Sequence, residues 1–478
     1  MEKKRIVDIS LKACCALFLF VSLILTFTVS DYYIFNKIGY SDGQFGFFFV
    51  LGQWIKKSGL LLLPLAVYYR KRSCAEVAKY VLPVFILISF FTFGGFFDVT
   101  MLTESATPAQ KVLASINEFI GKSANMTLFF IAAVLELGCC VLLFVRDGFG
   151  LRAKSFIYFA LAFFAVTPLN IFENFYDVDA FDPSSPLWFK NFTVWHFLAL
   201  AILVGSTIGI YYFLRKKSAE LQRDWLCAVA ITLLIQYHSK DSFVLGEGYN
   251  VYNHVFSCVP LFICNIGVYV ASISVILKKK VLYAISFFVH AAGALSVFVY
   301  FGRDEMSNYG IFVGHSILYF CLTHILLFVL SVIPSALGHY KFKPKDCLIP
   351  MAYYCVVIVA AAVSSGLVTS ASMSFSYDGY TLAESEWIYP NYAFTQINPL
   401  PIPCPNVPIM IWKCELNIVY LVLLYLVYVM LFWIFTGGYY AFLAIKRRIA
   451  QRTLAPASLV APQAGAEAAA TKDETDRK

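Results

Sequence analysis

The stretch that decides the fold is Tyr252–Phe328, which reads YNHVFSCVPLFICNIGVYVASISVILKKK, then VLYAISFFVHAAGALSVFVYFGRDE, then MSNYGIFVGHSILYFCLTHILLF. It holds three apolar spans joined by short polar links, each about the 20 residues that cross the hydrocarbon core of a bilayer. Inside them sit Cys264, His290 and His324. A thiol and two imidazoles are poor choices for packing alone, so any chemistry of the chain is expected here.

The same grammar runs through all 478 residues, of which 60% are hydrophobic, 17% aromatic and 14% charged. A soluble domain carries roughly 25% charged residues. The expected fold is all-α, a polytopic transmembrane helical bundle of about twelve spans. They fall near 9–30, 47–69, 77–97, 125–145, 155–172, 193–214, 224–238, 253–277, 281–301, 309–335, 348–370 and 414–445. The first apolar run is too long for a signal peptide and lacks a small-x-small cleavage site, so it reads as an uncleaved helix. Basic clusters occur at alternate links: Lys3–Arg5, Arg70–Arg72, Arg146–Lys154, Arg215–Arg223, Lys278–Lys280, Lys341–Lys345 and Lys446–Arg452. The positive-inside rule then places both termini in the cytoplasm of a multi-pass cell-membrane protein. The net charge of +8 comes from these clusters, so membrane lipids are the expected partners and nucleic acid is not. Three portions are expected: a helical membrane part over 1–190, a second membrane domain over 191–452, and a disordered tail over 453–478, rich in Ala and charge.

Several polar residues interrupt the apolar pattern. The seventh span is short and ends on Gln236 and His238, which suits a helix tilted or buried among others. Lys56 and Lys57 lie inside the second span, and Glu136 lies inside the fourth. An ionisable group at such depth faces the bundle interior and has a partner. Lys57 and Glu136 sit at similar depth and are expected to pair. Pro64 and Pro260 are expected to break the second and eighth spans. The acidic loops 173–192 and 371–412 match no calcium-loop spacing and read as solvated. Most of the 13 cysteines lie in apolar spans and behave as small hydrophobes. Cys404 and Cys414 flank a polar loop, where a disulfide is one option.

All seven histidines lie after residue 195, so imidazole chemistry belongs to the second half. At 1.5 Å of rise per residue, Cys264, His290 and His324 all fall in the middle third of the bilayer. Consecutive spans with short links tend to be neighbours, which allows the three to converge. A thiolate is a nucleophile, and an imidazole can take its proton or protonate a leaving alcohol. The bland alternative stands beside this: a Cys in a span most often packs, and a His in a span most often bonds a neighbouring helix. No metal is expected, because no two histidines show H-x₃-H spacing, and His315 and His324 are over two turns apart. His196, His238 and His254 lie near outer span ends, where His196, His254 and His315 are candidates for contacting a lipid substrate.

WHFLALAILV, VPLFICNIGVY, FFVHAAGALSVFVYFG and YFCLTHILLF, in this order, together with PNYAF in the last outer loop, resemble the YwaF-like family of integral membrane proteins. The resemblance covers about 190–445. It extends to animal proteins similar to an ether-phospholipid acyltransferase, which uses a cysteine and a histidine, and more distantly to lipid hydrolases using Thr and His. It implies Cys264 as the acyl-accepting nucleophile, His324 as its base, and His196 as an assisting group. Many relatives have a His two residues before the cysteine. Here that place holds Phe262, so activation would fall to His290 or His324. The leading expectation is an intramembrane acyltransferase acting on phospholipid chains, with no cofactor. The alternatives are a twelve-span transporter or channel and a scaffold without chemistry.

Overall fold

The computed structural model describes residues 2–28, 51–92, 124–169, 171–172, 184–240, 259–300, 311, 314–377, 379–384, 387–396 and 403–458. In chain order the helices are α1 (Glu2–Thr28), α2 (Gly59–Val67), α3 (Arg72–Thr92), α4 (Asn125–Asp147), α5 (Ser155–Ala165), α6 (Val194–Leu214), α7 (Ala219–Lys240) and α8 (Ile263–Leu277). They continue as α9 (Lys280–Val299), α10 (His315–Ala336), α11 (Leu348–Met373) and α12 (Ile418–Ser458). Between α11 and α12 lie two short antiparallel hairpins, β1 (Ser376–Tyr377) with β2 (Tyr380–Thr381), and β3 (Pro408–Ile411) with β4 (Cys414–Asn417). Two compact units result, Met1–Tyr425 and Leu426–Lys478, and the first holds all the residues discussed below.

Eight helices, α1, α3, α4, α6, α9, α10, α11 and α12, are long and apolar enough to cross a membrane. The chain is a multi-pass membrane protein. The other four expected spans also contain helix among the described residues. α5 and α8 have only 11 and 15 residues, α2 is interrupted at Ser58, and α7 carries charge at its start. Exposure follows from a lipid-like surround. α9 and α10 are largely enclosed, whereas α1 and α6 turn Phe20, Phe197, Ile202 and Ile208 outward. Apolar side chains on the outside cost nothing against hydrocarbon, and every helix satisfies its own backbone. α12 runs through Ser458, six residues into the segment expected to be tail; residues 459–478 lie outside the described ones.

Two hydrophobic cores form. One gathers Leu11, Phe18, Leu62, Ala78, Leu143 and neighbours from α1–α5. The other gathers Leu203, Leu233, Val268, Phe298, Leu327 and neighbours from α6–α10. α7 joins them, which accounts for its polar residues. Gln236 donates from Nε2 to the carbonyls of Ala165 (2.8 Å) and Thr167 (3.2 Å) after α5. Lys57 Nζ reaches Ser239 Oγ at 2.5 Å, and Lys71 pairs with Asp224. The expected Lys57–Glu136 pair is therefore corrected. Consecutive helix residues point about 100° apart, so Lys57 turns toward α7 while Lys56 turns toward Phe129 of α4, where its charge acts on Glu136. Pro64 does not break its helix, which continues through it to Val67. The interruption lies earlier, where Ser58 N–H bonds back to Ile55 C=O.

The β3–β4 hairpin sits on α11 at Gly366, where an added Cβ would stand 2.6 Å from Ile411 Cβ. Ser370 of α11 pins the hairpin. Its hydroxyl donates to Ile411 C=O (2.7 Å) and accepts from the N–H groups of Lys413 (3.0 Å) and Cys414 (2.9 Å). The ladder pairs Ile411 with Cys414 and Pro408 with Asn417. Cys404 lies at the Asn417 end, with Asn417 Nδ2 at 3.6 Å from its sulfur, whereas Cys414 lies at the turn. Both thiols are free, and the register keeps them at opposite ends of the ladder, so the disulfide option is not realised. Ser370→Ala leaves a buried carbonyl and two N–H groups short of partners. It should destabilise the protein by about 1–3 kcal/mol and raise protease sensitivity across 403–417. Thermal unfolding in detergent with a proteolysis time course checks this; unchanged values would contradict the pinning role.

Candidate functional site

Cys264 is the second residue of α8, not a mid-helix residue as its predicted span implied. Phe262, extended at φ −77° and ψ 143°, caps the helix start. Helical bonding begins two residues after Pro260, with Ile266 N–H donating to Phe262 C=O at 3.0 Å. Residues 251–258, with His254, lie outside the described residues. The consequence is chemical. The first turn of a helix carries N–H groups without intrahelical partners, and the Cys264 thiol sits within that turn. Cys264 is partly exposed and borders the second core.

His290 approaches the same helix. It ends a π-helical turn, Ser286–His290, inside α9 and is almost fully buried. Such turns wind five residues into one bonding ring and redirect the side chains on them. Here the imidazole lies directly on Gly267, three residues after Cys264. A Cβ at Gly267 would stand 2.7 Å from Nδ1 and 2.9 Å from Cγ. Residues three apart on a helix share a face, so His290 rests on the face that carries Cys264. Nε2 is 3.3 Å from the hydroxyl of Tyr353 on α11, and the two rings meet edge to face at 5.7 Å. Nδ1 lies near the Ile263 backbone without a hydrogen bond of standard geometry.

His324 is at mid-depth in α10, a helix packed against α8, and is buried. Its Nδ1 is 2.7 Å from Phe320 C=O one turn earlier, and its ring rests on Phe320 at 4.3 Å. A carbonyl only accepts, so the proton is on Nδ1 and the lone pair of the neutral ring is on Nε2. His196 differs. Its Nδ1 accepts from Phe192 N–H at 2.8 Å and its Nε2 donates to Phe298 C=O at 2.7 Å. Both ring nitrogens are engaged by backbone, so His196 ties the start of α6 to the end of α9, and the substrate-contact expectation gives way to a structural one. His315 opens α10, and its side chain is outside the described ones. His238 Nε2 meets Tyr269 OH of α8 at 3.1 Å.

An aromatic group covers the start of α8. Phe262 packs edge to face on Tyr392 and Phe394, each at 6.0 Å between centroids. The PNYAF loop that supplies these rings is held in an unusual shape: Asn391, Ala393 and Phe394 all have positive φ, at 45°, 49° and 62°. Non-glycine residues take that region at a cost and persist there when their surroundings fix them. Four side chains do so. Gln396 and Asn391 exchange backbone-to-side-chain bonds at 3.0 Å, Ser365 Oγ accepts from Tyr392 N–H at 3.0 Å, and Tyr420 OH donates to Phe394 C=O at 2.6 Å. Tyr353 and this loop were missed as site components; the paired Asn391 and Gln396 beside a Pro-rich stretch were the available signal.

Residues 191–436 match the TMEM164 family, a transmembrane family, over just over half of the chain. The chain belongs to the TMEM164 family. The matched region begins before α6 and ends within α12, so it contains Cys264, His290, His324 and the PNYAF loop. The stretch read as YwaF-like, about 190–445, thus carries the TMEM164 name instead. No curated protein and no solved structure matches the chain.

Gly267→Ala must push the His290 ring off α8. It should cost about 1–3 kcal/mol of stability from overpacking. Whatever activity depends on His290 should fall with it, more than at Gly293→Ala, where an added Cβ meets only Ile263 at 3.8 Å. Equal effects of the two substitutions on melting temperature would contradict the close approach.

Proposed function

We propose that the protein is an intramembrane lipid acyltransferase in which Cys264 carries the acyl group as a thioester. The reading rests on one observation above the rest: a thiol in the first turn of α8, with a buried imidazole lying on the same helix face at Gly267. The YwaF-like and acyltransferase likeness of the sequence points the same way. A lipid substrate suits a site within apolar helices.

In this reading the Cys264 thiolate attacks the carbonyl of a phospholipid acyl ester. The ester C–O bond breaks, and the lysophospholipid alkoxide leaves with a proton from an imidazolium. A second lysophospholipid hydroxyl then attacks the thioester and gives its proton to the imidazole, and the thiolate departs. His290 is the base we assign first. Its Nδ1 faces α8 at Gly267, and its Nε2 meets the Tyr353 hydroxyl, which can accept from it or donate to it. His324, with its proton on Nδ1, is the second imidazole, which we assign to the acceptor alcohol. The twelve-span arrangement in the cell membrane, with cytoplasmic termini, belongs to the same proposal.

The test is acyl exchange between a phospholipid and a lysophospholipid by the full chain in vesicles. Cys264→Ala should reduce exchange to background. His290→Gln should lower it by about 10²–10⁴-fold, the usual contribution of a general base. His196→Gln should lower melting temperature more than rate. Exchange that persists in Cys264→Ala would overturn the proposal. Uptake of a solute by the same vesicles, lost in Glu136→Gln and kept in Cys264→Ala, would favour the transporter alternative.

A further inference from the structure

The helices outside the family-matched region hold a second arrangement that the acyl-transfer reading does not use. Glu136, at mid-length in α4, is completely buried, and neither carboxylate oxygen has a hydrogen-bond partner. Its Oε1 occupies the place beside Gly59 where any other residue would have its Cβ, so α2 is cut back to admit it. Lys56, three residues before the start of α2, is also buried, and its charge acts on the carboxylate. The two do not close to an ion pair, and the Lys56 ammonium instead lies 4.1 Å from the Phe129 ring centroid. Gln53, a further turn back, is buried with its Nε2 unbonded. An unpaired carboxylate so placed is expensive to keep charged and serves poorly as a strut.

We propose that Glu136 is a reversible proton-binding site within the membrane, with Lys56 as its counter-charge. The surroundings select a proton over a metal cation. The segment before α2 presents Lys56, which repels a cation; α3 presents Leu82; α1 presents Cys14 beside Cys139; and α4 itself adds Cys139 and Cys140. Hard cations need several oxygen ligands, and among the described residues no three His, Cys, Asp or Glu side chains converge to hold a metal. A proton needs one oxygen. The site also has a route to the rest of the chain. Lys57, next to Lys56, bonds Ser239 of α7, and α7 packs against α8. A proton gained or lost at Glu136 changes the charge balance one residue from that bond.

Infrared difference spectra of the full-length protein in lipid nanodiscs, recorded between acid and alkaline pH, test this directly. A protonated carboxyl in apolar surroundings gives its own carbonyl band. The band should appear reversibly on acidification, be lost in Glu136→Gln, and persist to higher pH in Lys56→Met, where the Lys56 charge is gone. Spectra of wild type and Glu136→Gln that match throughout would overturn the site. If Glu136→Gln does not yield monodisperse protein, carbodiimide treatment of the wild type replaces it. Peptide mass should then place the adduct on Glu136 at acid pH and not at alkaline pH; an unmodified Glu136 at every pH would overturn the proposal equally.

Discussion

The second half of the chain depends on one contact between a ring and a bare backbone. Gly267 has no side chain, so the His290 imidazole can lie on α8 itself. Any larger residue would separate α8 from α9 by the thickness of a methyl group. The π-helical turn that ends at His290 supplies the other half of the contact, because it aims the ring at α8 instead of along α9. Around that contact α9 and α10 are tied by hydroxyls: Tyr283 donates to Ser331 C=O at 2.9 Å, and Ser286 meets Ser331 at 2.7 Å. In a bundle with no water to compete, such bonds and close packing hold helices together where the hydrophobic effect cannot.

The same rule explains where the remaining polar side chains went. Gln236, Ser239, His196, Ser365 and Ser370 each bond a backbone group or a side chain on another element. They turn irregular segments into fixed ones, including a loop with three positive-φ residues. The Glu136 carboxylate oxygens and Nδ1 of His290 depart from this pattern: they are among the buried polar atoms of the described residues that lack a standard hydrogen bond. Polar groups left unsatisfied in a low-dielectric interior are costly, and such cost is commonly retained at sites with work to do.

Much of the fold was legible because membrane spans announce themselves by length and apolarity. Each expected span contains helix, though only eight helices meet both criteria. The burial of α7 could be anticipated from Gln236. Angular detail was not legible. Depth alone made Lys57 and Lys56 equivalent, and only the helix phase separates them. The start of α8 was also hidden, since Phe262 is extended for reasons that involve Tyr392 and Phe394, over a hundred residues away. His196 looked like a headgroup contact because sequence cannot show that Phe192 and Phe298 present their backbones to it. Cys264, His290 and His324 were singled out from residue type and expected depth, and the start of α8 at Ile263 alters that depth for Cys264. The placement of His290 depends on Gly267 and Tyr353, whose importance is purely geometric.

The central claim is that the sulfur of Cys264 carries an acyl group. Purified full-length protein should be incubated with a phospholipid of defined chain composition, quenched in denaturant and digested for peptide mass analysis. The account predicts one added acyl mass on the peptide containing Cys264, removed by neutral hydroxylamine as a thioester is. An acyl adduct on another residue, or one still formed in Cys264→Ala, would contradict it.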